Sequence, residues 1–245
     1  MKTCSVILGT EMKLALRDFF TTFFTLVFPS LMLLIFGSLF GTFPGEAGAT
    51  MLDDMTPAYS CMVMGVTGLM GLPLTLTANM ERGVYKRFDA SPAGRLPIIW
   101  GELAAQLILT LAGLVILFLF AWAVFGISAR GSWLSIGGAA CLSTAALFAI
   151  GFLLAAAVPG PRAALAVCYT VYFLMMFLSG ATLPRQLFSP TLLAVSDWLP
   201  MTYAVRLMQD TFNATDGGST QAAGILLLTA ATGAAGGSFL GRQKR

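Results

Sequence analysis

The sequence predicts an all-α integral membrane protein, because it is rich in apolar residues, poor in charge and arranged in long uninterrupted apolar runs. Of its 245 residues, 57% are hydrophobic and only 10% are charged. A soluble domain carries about 25% charged residues. A transmembrane helix needs about 20 apolar residues, and the runs reach that length. A membrane β-barrel would instead show alternating segments of about ten residues.

The first residues predict an amphipathic helix, residues 5–18, that lies along the membrane surface. Thr10, Lys13 and Arg17 form its polar face. Its apolar face is formed by Leu8, Met12, Ala15, Leu16 and Phe19. A plain cytoplasmic lead-in is the alternative. Charged residues interrupt the segment, so it does not have the apolar core of a cleavable signal peptide, and the first span is expected to be retained.

Six apolar runs follow, and each predicts one transmembrane helix. They cover residues 19–41, 55–78, 98–125, 133–158, 163–183 and 219–240. Pro29 is expected to kink the first span, and Pro73 to bend the end of the second. Three glycines of the second span, Gly65, Gly68 and Gly71, are expected to let a neighbouring helix approach closely.

The most charged part of the chain lies between the second and third spans. It is residues 79–95, named here the charged stretch, in which 6 of 17 residues are charged. Such a stretch between two apolar runs predicts a short loop between two membrane helices. Glu102 follows near the start of the third span. A carboxylate at the bilayer centre costs about 2.5–3.5 kcal/mol. We therefore interpret Glu102 primarily as an interfacial residue whose side chain reaches the headgroups, and a functional role is the second interpretation.

The distribution of cations predicts the orientation in the membrane. The N-terminal segment, the charged stretch, Arg162 and the C-terminal tail lie on one side and together carry 11 cations, whereas the other side carries 3. The positive-inside rule therefore places both termini in the cytoplasm. The acidic loop before the second span and residues 184–216 then face outward.

The outward segment 184–216 is too apolar for a free loop. It predicts one or two short helices broken at Pro190 and Pro200, arranged as a re-entrant or interfacial hairpin between helices five and six. An ordinary loop resting on lipid is the alternative. If the hairpin closes the outer end of a pathway, the residues expected to do so are Pro184, Trp198, Leu199, Pro200 and Tyr203. Asn213 begins a glycosylation pattern, which often arises by chance.

Two absences narrow the function. The sequence contains no histidine, and its predicted spans show no paired carboxylates and no Asp or Glu at mid-membrane, although proton-driven transporters usually need such groups. It also lacks a phosphate-binding loop, because the glycine-rich run 236–241 is not followed by Lys and then Ser or Thr. A membrane protein without an energy-coupling group of its own is expected to take its energy from a partner.

Two separated motifs resemble the ABC type-2 transporter permease family. The first is Glu81-Arg82-Gly83, then Lys86-Arg87 and then Ser91-Pro92, within the charged stretch. The second is Leu178-Ser179-Gly180-Ala181-Thr182-Leu183-Pro184, followed by Leu199-Pro200-Met201-Thr202-Tyr203-Ala204. The predicted topology agrees along essentially the whole chain. Within the family, the sequence looks most like the permeases of drug and antibiotic exporters, which act in multidrug efflux.

The resemblance implies a permease subunit in the bacterial cytoplasmic membrane, the cell inner membrane, that has no catalytic residues. ATP and Mg²⁺ would be bound by a separate ABC ATPase, and no cofactor, metal or nucleic acid is expected on this chain. Two permease subunits, identical or related, would form the pathway. We expect helices one and five to contribute to their contact, with Gly37, Ser179 and Gly180 near it. The residues implied to couple to the ATPase are Glu81, Arg82, Gly83, Tyr85, Lys86, Arg87, Asp89, Ser91 and Pro92.

Other functions stay open at this point. Apolar walls suit a lipophilic or amphipathic cargo such as a drug, antibiotic, peptide or lipid, but they also suit plain lipid-facing helices. A permease for polysaccharides or lipid-linked glycans, and a structural or channel subunit unrelated to ABC transporters, are the alternatives. A membrane hydrolase is disfavoured, because Ser60, Ser179 and Ser189 have no histidine or convincing lysine partner.

Overall fold

The computed structural model describes residues 2–40, 43, 50–89, 94, 96–183, 185–215 and 219–243, with side chains described from residue 7 to residue 233 except at 186. Within these ranges the chain is helical and contains no strand. In chain order the elements are α1 (Lys2–Arg17), α2 (Phe19–Leu26), α3 (Phe28–Phe40), α4 (Met51–Gly65), a π-helical turn (Val66–Gly71), α5 (Leu72–Glu81), α6 (Val84–Asp89), α7 (Leu96–Phe125), α8 (Trp133–Ala157), α9 (Pro161–Leu178), a 3-10 helix (Arg185–Leu187), α10 (Pro190–Ser196), α11 (Pro200–Asn213) and α12 (Ser219–Gln243).

Five segments among the described residues are long and apolar enough to cross a membrane. They are Phe19–Phe40, Met51–Glu81, Leu96–Phe125, Trp133–Ala157 and Pro161–Leu178. These segments overlap the first five predicted spans and indicate a multi-pass membrane protein. α12 lies where the sixth span is predicted and packs against α8 and α11. It is not among the five, so the sixth span stays a prediction.

The fifth span ends earlier than the predicted residue 183. α9 stops at Leu178, and Gly180 has a φ of 85°. This left-handed conformation favours glycine and ends the helix. The residues that follow, Ala181 and Thr182, are buried but lie outside any helix. Hydropathy alone extends the span over them.

The first span is interrupted near Pro29, as predicted. α2 ends at Leu26 and α3 begins at Phe28, so the break falls at Val27. Proline has no N–H and its ring clashes with the carbonyl four residues earlier, which here belongs to Thr25. A Cβ placed on Gly113 of α7 would lie 2.8 Å from that carbonyl oxygen. The break therefore lies against a glycine of α7.

The second span runs through the centre of the molecule and contains the π-helical turn. The Leu72 amide donates to the carbonyl of Thr67, five residues earlier. Pro73 follows directly and supplies no N–H to the preceding turn, which favours a wider turn at this point. The Gly68 carbonyl in the turn faces Gly151 of α8, where a Cβ would overlap it. The close helix approach predicted for the glycines of this span is confirmed.

α7 carries an exposed tryptophan at each end. Trp100 is 67% exposed and Trp122 is 65% exposed. They are 22 residues apart, which corresponds to about 33 Å along a helix. This length matches the roughly 30 Å hydrocarbon core of a bilayer, at whose surfaces tryptophans concentrate. Glu102 is two residues beyond Trp100 and therefore lies at the same end of α7.

Candidate coupling site

The charged stretch contains a tight turn, at Arg82 and Gly83, between α5 and α6. The Arg82 amide donates to the Ala78 carbonyl at 3.0 Å, and the Gly83 amide donates to the Met80 carbonyl at 3.1 Å. Gly83 has a φ of 67°. This conformation costs a residue with a Cβ roughly 1–2 kcal/mol. Glycine at this position therefore lets the chain leave α5 and start a second, separate helix.

α6 separates its charged side chains from its aromatic ones. The exposed charged residues here are Glu81, Arg82, Lys86, Arg87 and Asp89. Tyr85, by contrast, is 8% exposed and belongs to an apolar cluster with Leu76 of α5 and Ile98 of α7. The turn and α6 thus present a charged surface outward, while Tyr85 fixes the inner side of α6 on the helix bundle.

The Tyr85 hydroxyl ends at a buried carboxylate of α7. It lies 2.7 Å from Oε2 and 2.9 Å from Oε1 of Glu102. The Asn79 side-chain amide of α5 also donates to Oε1. Glu102 is only 1% exposed. One carboxylate therefore joins α5, α6 and α7, and burial together with the charge of Glu102 raises the pKa of the Tyr85 hydroxyl.

This arrangement corrects the expectation that Glu102 reaches the headgroups. Its side chain points into the bundle, where Asn79 and Tyr85 donate hydrogen bonds to it. α1 covers this part of α7: a Cβ on Gly101 would lie 2.6 Å from Ile7 Cγ2 and 3.7 Å from Glu11 Cγ. Burial raises the pKa of the Glu11 carboxyl.

The opposite end of the molecule carries a second polar cluster, between α9 and α11. Asp197 Oδ1 accepts from Arg185 at 2.9 Å and from Arg206 at 2.7 Å. The Tyr203 hydroxyl donates to the Asp197 carbonyl at 2.8 Å, and the Arg206 guanidinium lies 5.6 Å from the Tyr203 ring centre. The Arg185 hydrogen bond and both arginine charges hold the pKa of the Asp197 carboxyl below its usual value.

The predicted outer hairpin is made of short helices that start at its prolines. Pro190 and Pro200 are the first residues of α10 and α11, where a missing N–H costs nothing. Trp198 is 87% exposed between them, and Leu199 is half-buried. The segment is therefore a helix–turn–helix, whereas its re-entrant placement in a membrane stays a prediction.

The sequence profile of one protein family agrees with this architecture. The profile described as ABC-2 type transporter matches residues 2–213. The chain belongs to the ABC-2 type transporter family. Comparison with curated proteins gives no match. Family membership makes the protein a membrane component of an ABC transporter, a type of subunit that generally has no catalytic role and works with an ABC ATPase.

In this ABC-2 protein the predicted coupling and outer residues fall into two groups at opposite ends. The described coupling residues, within 81–89, form α6 and the turn before it. The outer residues lie close to Asp197 in the sequence, and they are Trp198, Leu199, Pro200 and Tyr203. Ser91, Pro92 and Pro184 lie outside the described residues. In the part of the chain that the structure describes, no group of three His, Cys, Asp or Glu side chains is placed to hold a metal ion.

Two features of the ABC-2 chain escaped the sequence prediction. One is the hydrogen bond from Asn79 to Glu102, which joins the second and third spans and for which the sequence carries no local signal. The other is the full length of α11, whose inner face is buried in the core. That face consists of Met201, Ala204, Val205, Met208 and Phe212. Their spacing of three, four, seven and eleven residues is the pattern of an amphipathic helix and could have revealed it.

Proposed function

We propose that this chain is the permease subunit of an ATP-driven exporter and that a separate ABC ATPase docks on α6. The observation that carries this proposal is the division of α6 into a charged outer surface and an inward aromatic side, where Tyr85 is buried and Phe88 is half-buried. A short helix with mixed charge fits a groove of a soluble domain. Its movement can pass as a rigid-body displacement into the spans on either side.

The docking proposal is tested by replacing Glu81 and Arg87 together with Ala. Both side chains are exposed, and the structure shows neither in an ion pair among the described residues. We expect the permease to insert normally while permease-stimulated ATPase activity is lost. Arg162→Ala is the control, because Arg162 is an exposed cation on the same predicted side but away from α6. Undiminished stimulation in the double variant contradicts docking at α6.

We also propose that the pathway forms between two permease subunits that meet through α2 and α9. Only 22% of the apolar stretch of the first span, and likewise of the fifth, is buried within the chain, against 83% for the second. Aromatic rings join the two helices: the centres of Phe20 and Tyr169 lie 6.5 Å apart, and those of Phe24 and Phe173 lie 6.1 Å apart. Together α2 and α9 offer a broad apolar surface for a second subunit.

The small residues expected at that contact do not offer an exposed face. A Cβ on Gly37 would lie 2.7 Å from Leu52 of the same chain, and Ser179 and Gly180 are buried. Phe20, which is 55% exposed, is the better position for a test. Phe20→Cys should form crosslinks between subunits, in a background where Cys4 and the exposed Cys141 are replaced by Ala. Leu111→Cys, on the exposed face of α7, is the control.

The cargo and the location complete the proposal. A lipophilic or amphipathic molecule suits the apolar surfaces, and the excess of cations at one predicted side suits a bacterial cytoplasmic membrane.

A strictly monomeric permease in an ATPase-bound, active complex contradicts the two-subunit pathway. Crosslinks at Leu111 as strong as those at Phe20 would also count against contact through α2 and α9.

A further inference from the structure

A glycine in the left-handed conformation lies on each side of α6 in the sequence. Gly83 before it has a φ of 67° and Gly94 after it has a φ of 65°, and neither has any atom within 4 Å of where a Cβ would lie. Backbone hydrogen bonds from Gly83 to Met80 and from Arg87 to Gly83 shape the turn before α6, but the space where a Cβ would lie is open at both glycines. The orientation of α6 relative to α7 therefore also depends on its side-chain contacts with the bundle.

Glu102 supplies one polar contact of this kind, through Tyr85. Its two oxygens accept from Tyr85 of α6 and Asn79 of α5, and its own backbone is part of α7. Burying a carboxylate is costly, because the charge loses its hydration. An apolar side chain of similar size would fill the same space at a lower cost, as replacements of buried ionic groups show in other proteins. The carboxylate is thus a poor choice for packing but a good one for holding two donors in fixed directions.

We propose that Glu102 is a positioning residue for energy coupling: its carboxylate fastens α6 to α7 through Tyr85. Displacement of α6 by a docked ATPase is then passed to α7 and is not absorbed by rotation at Gly83 and Gly94. This inference rests on the proposed docking of an ABC ATPase at α6. It adds the identity of the joint and the helix that receives the motion.

The directions of the bonds support transmission to α7 in particular. The Tyr85 hydroxyl contacts both oxygens of Glu102, so a sideways movement toward one oxygen lengthens its distance to the other. Asn79 holds Oε1 from the side of α5, which limits rotation of the carboxylate. Hydrogen bonds to charged groups are also the stronger ones in proteins. A displacement of α6 is therefore expected to act on α7 at Glu102.

The test uses the full permease in complex with its ABC ATPase and two pairs of spin labels. The first pair, Lys86→Cys and Leu107→Cys, reports the distance from α6 to α7 in a background where Cys4 and Cys141 are replaced by Ala. The second pair, Leu107→Cys with native Cys141, reports the distance from α7 to α8. All three labelled positions are exposed. Each distance is measured without nucleotide and with Mg·ATP plus orthovanadate.

In the otherwise unchanged protein we expect nucleotide to alter the distance from α7 to α8 and to leave the distance from α6 to α7 constant. In Tyr85→Phe, which removes only the hydroxyl, the pattern should reverse, because α6 then moves alone. Permease-stimulated ATPase activity should fall about tenfold, the factor that one hydrogen bond to a charged group represents. Glu102→Gln keeps an acceptor oxygen and should retain most of the distance changes of the unchanged protein, whereas Glu102→Leu should lose them.

The outcomes separate this inference from the proposed function. If no ABC ATPase binds the unchanged permease, docking at α6 itself is wrong. If the ATPase binds but Tyr85→Phe and Glu102→Leu leave both distance changes intact, Glu102 is not the joint. Equal loss of folded protein in Glu102→Leu and Glu102→Gln, with Tyr85→Phe behaving normally, would assign Glu102 to folding alone and likewise overturn the inference.

Discussion

The carbonyl oxygen of Gly68 in the second span points directly at Gly151 in α8. A Cβ added to Gly151 would overlap this oxygen and would also lie 3.4 Å from Cδ of Pro73. The neighbouring atoms belong to backbone and to a proline ring, which cannot rotate away. The crossing of these two helices therefore depends on the absence of a side chain at one position.

Gly151→Ala should consequently destabilise the permease. Overpacking of this kind costs about 1–3 kcal/mol. Gly138→Ala is a matched control on the same helix, because a Cβ there meets no atom within 4 Å. The control should be neutral or stabilising by up to about 1 kcal/mol, since alanine favours helices more than glycine does. Thermal unfolding in detergent measures both changes, and equal midpoints for the two variants would show that the crossing is loose.

The cluster around Asp197 predicts a dependence of stability on pH. Arg185 and Arg206 hold the pKa of Asp197 below its usual value. The folded protein therefore keeps the carboxylate charged at lower pH than the unfolded chain does. The resulting stabilisation is present above about pH 4, the ordinary Asp value, and is lost as the pH falls through the lowered pKa.

Asp197→Asn should thus lower the unfolding midpoint at pH 7 and make little difference at a pH below the lowered pKa. Because Asp197 is largely exposed, we expect the loss at pH 7 to be about 1 kcal/mol or less. Glu81→Gln, an exposed carboxylate without an ion pair among the described residues, is the control. A loss for Asp197→Asn that is the same at both pH values would mean that the carboxylate charge is not the cause.

Trp198 gives a test of the outer hairpin as a gate. Its side chain is 87% exposed at the turn between α10 and α11. If it contacts cargo or the second subunit, Trp198→Ala should change the basal ATPase activity of the complex by about twofold to tenfold, the range expected for one aromatic contact. Trp133→Ala is the control, because Trp133 is 68% exposed beside the same end of the bundle.

The amount of each tryptophan variant in the membrane must be measured with its activity, because an exposed tryptophan also anchors a protein at the interface. Equal activity changes for both variants, or changes explained by lower amounts, would make residues 184–204 a passive loop. A change confined to Trp198→Ala would support the gate.

Much of the fold follows from hydropathy alone. α7 is predictable because its run of apolar residues is long and bounded by charges, and the break in the first span is predictable because Pro29 cannot donate a hydrogen bond. The end of α9 is not, since Ser179, Gly180 and Ala181 are as compatible with a helix as with a turn in hydropathy. Gly180 has the left-handed conformation, and a Cβ placed there would lie 2.6 Å from Cγ of Arg185 in the following segment, a contact that hydropathy does not reveal.

The site is harder to predict than the fold. The sequence places Glu102 near the start of the third span but cannot say whether its side chain faces lipid headgroups or protein. That choice depends on Asn79, 23 positions earlier, and on the rotation of α5 relative to α7. The charged outer surface of α6 is visible in composition. The aromatic anchor beneath it becomes apparent only once Tyr85 and Glu102 are brought together in space.

The wide turn at Val66–Gly71 lies in the second span just before α5. A π-helical turn holds one residue more than an α-helical turn, and each residue rotates an α-helix by about 100°. Deleting one residue within this turn would therefore return it to an α-helical turn and leave the direction of the Asn79 side chain nearly unchanged. Deleting one residue of α5 before Asn79 would instead rotate that side chain by about 100°, away from Glu102. The second span can thus lose one residue near the middle of the bundle, but not within α5, and keep the bond between Asn79 and Glu102.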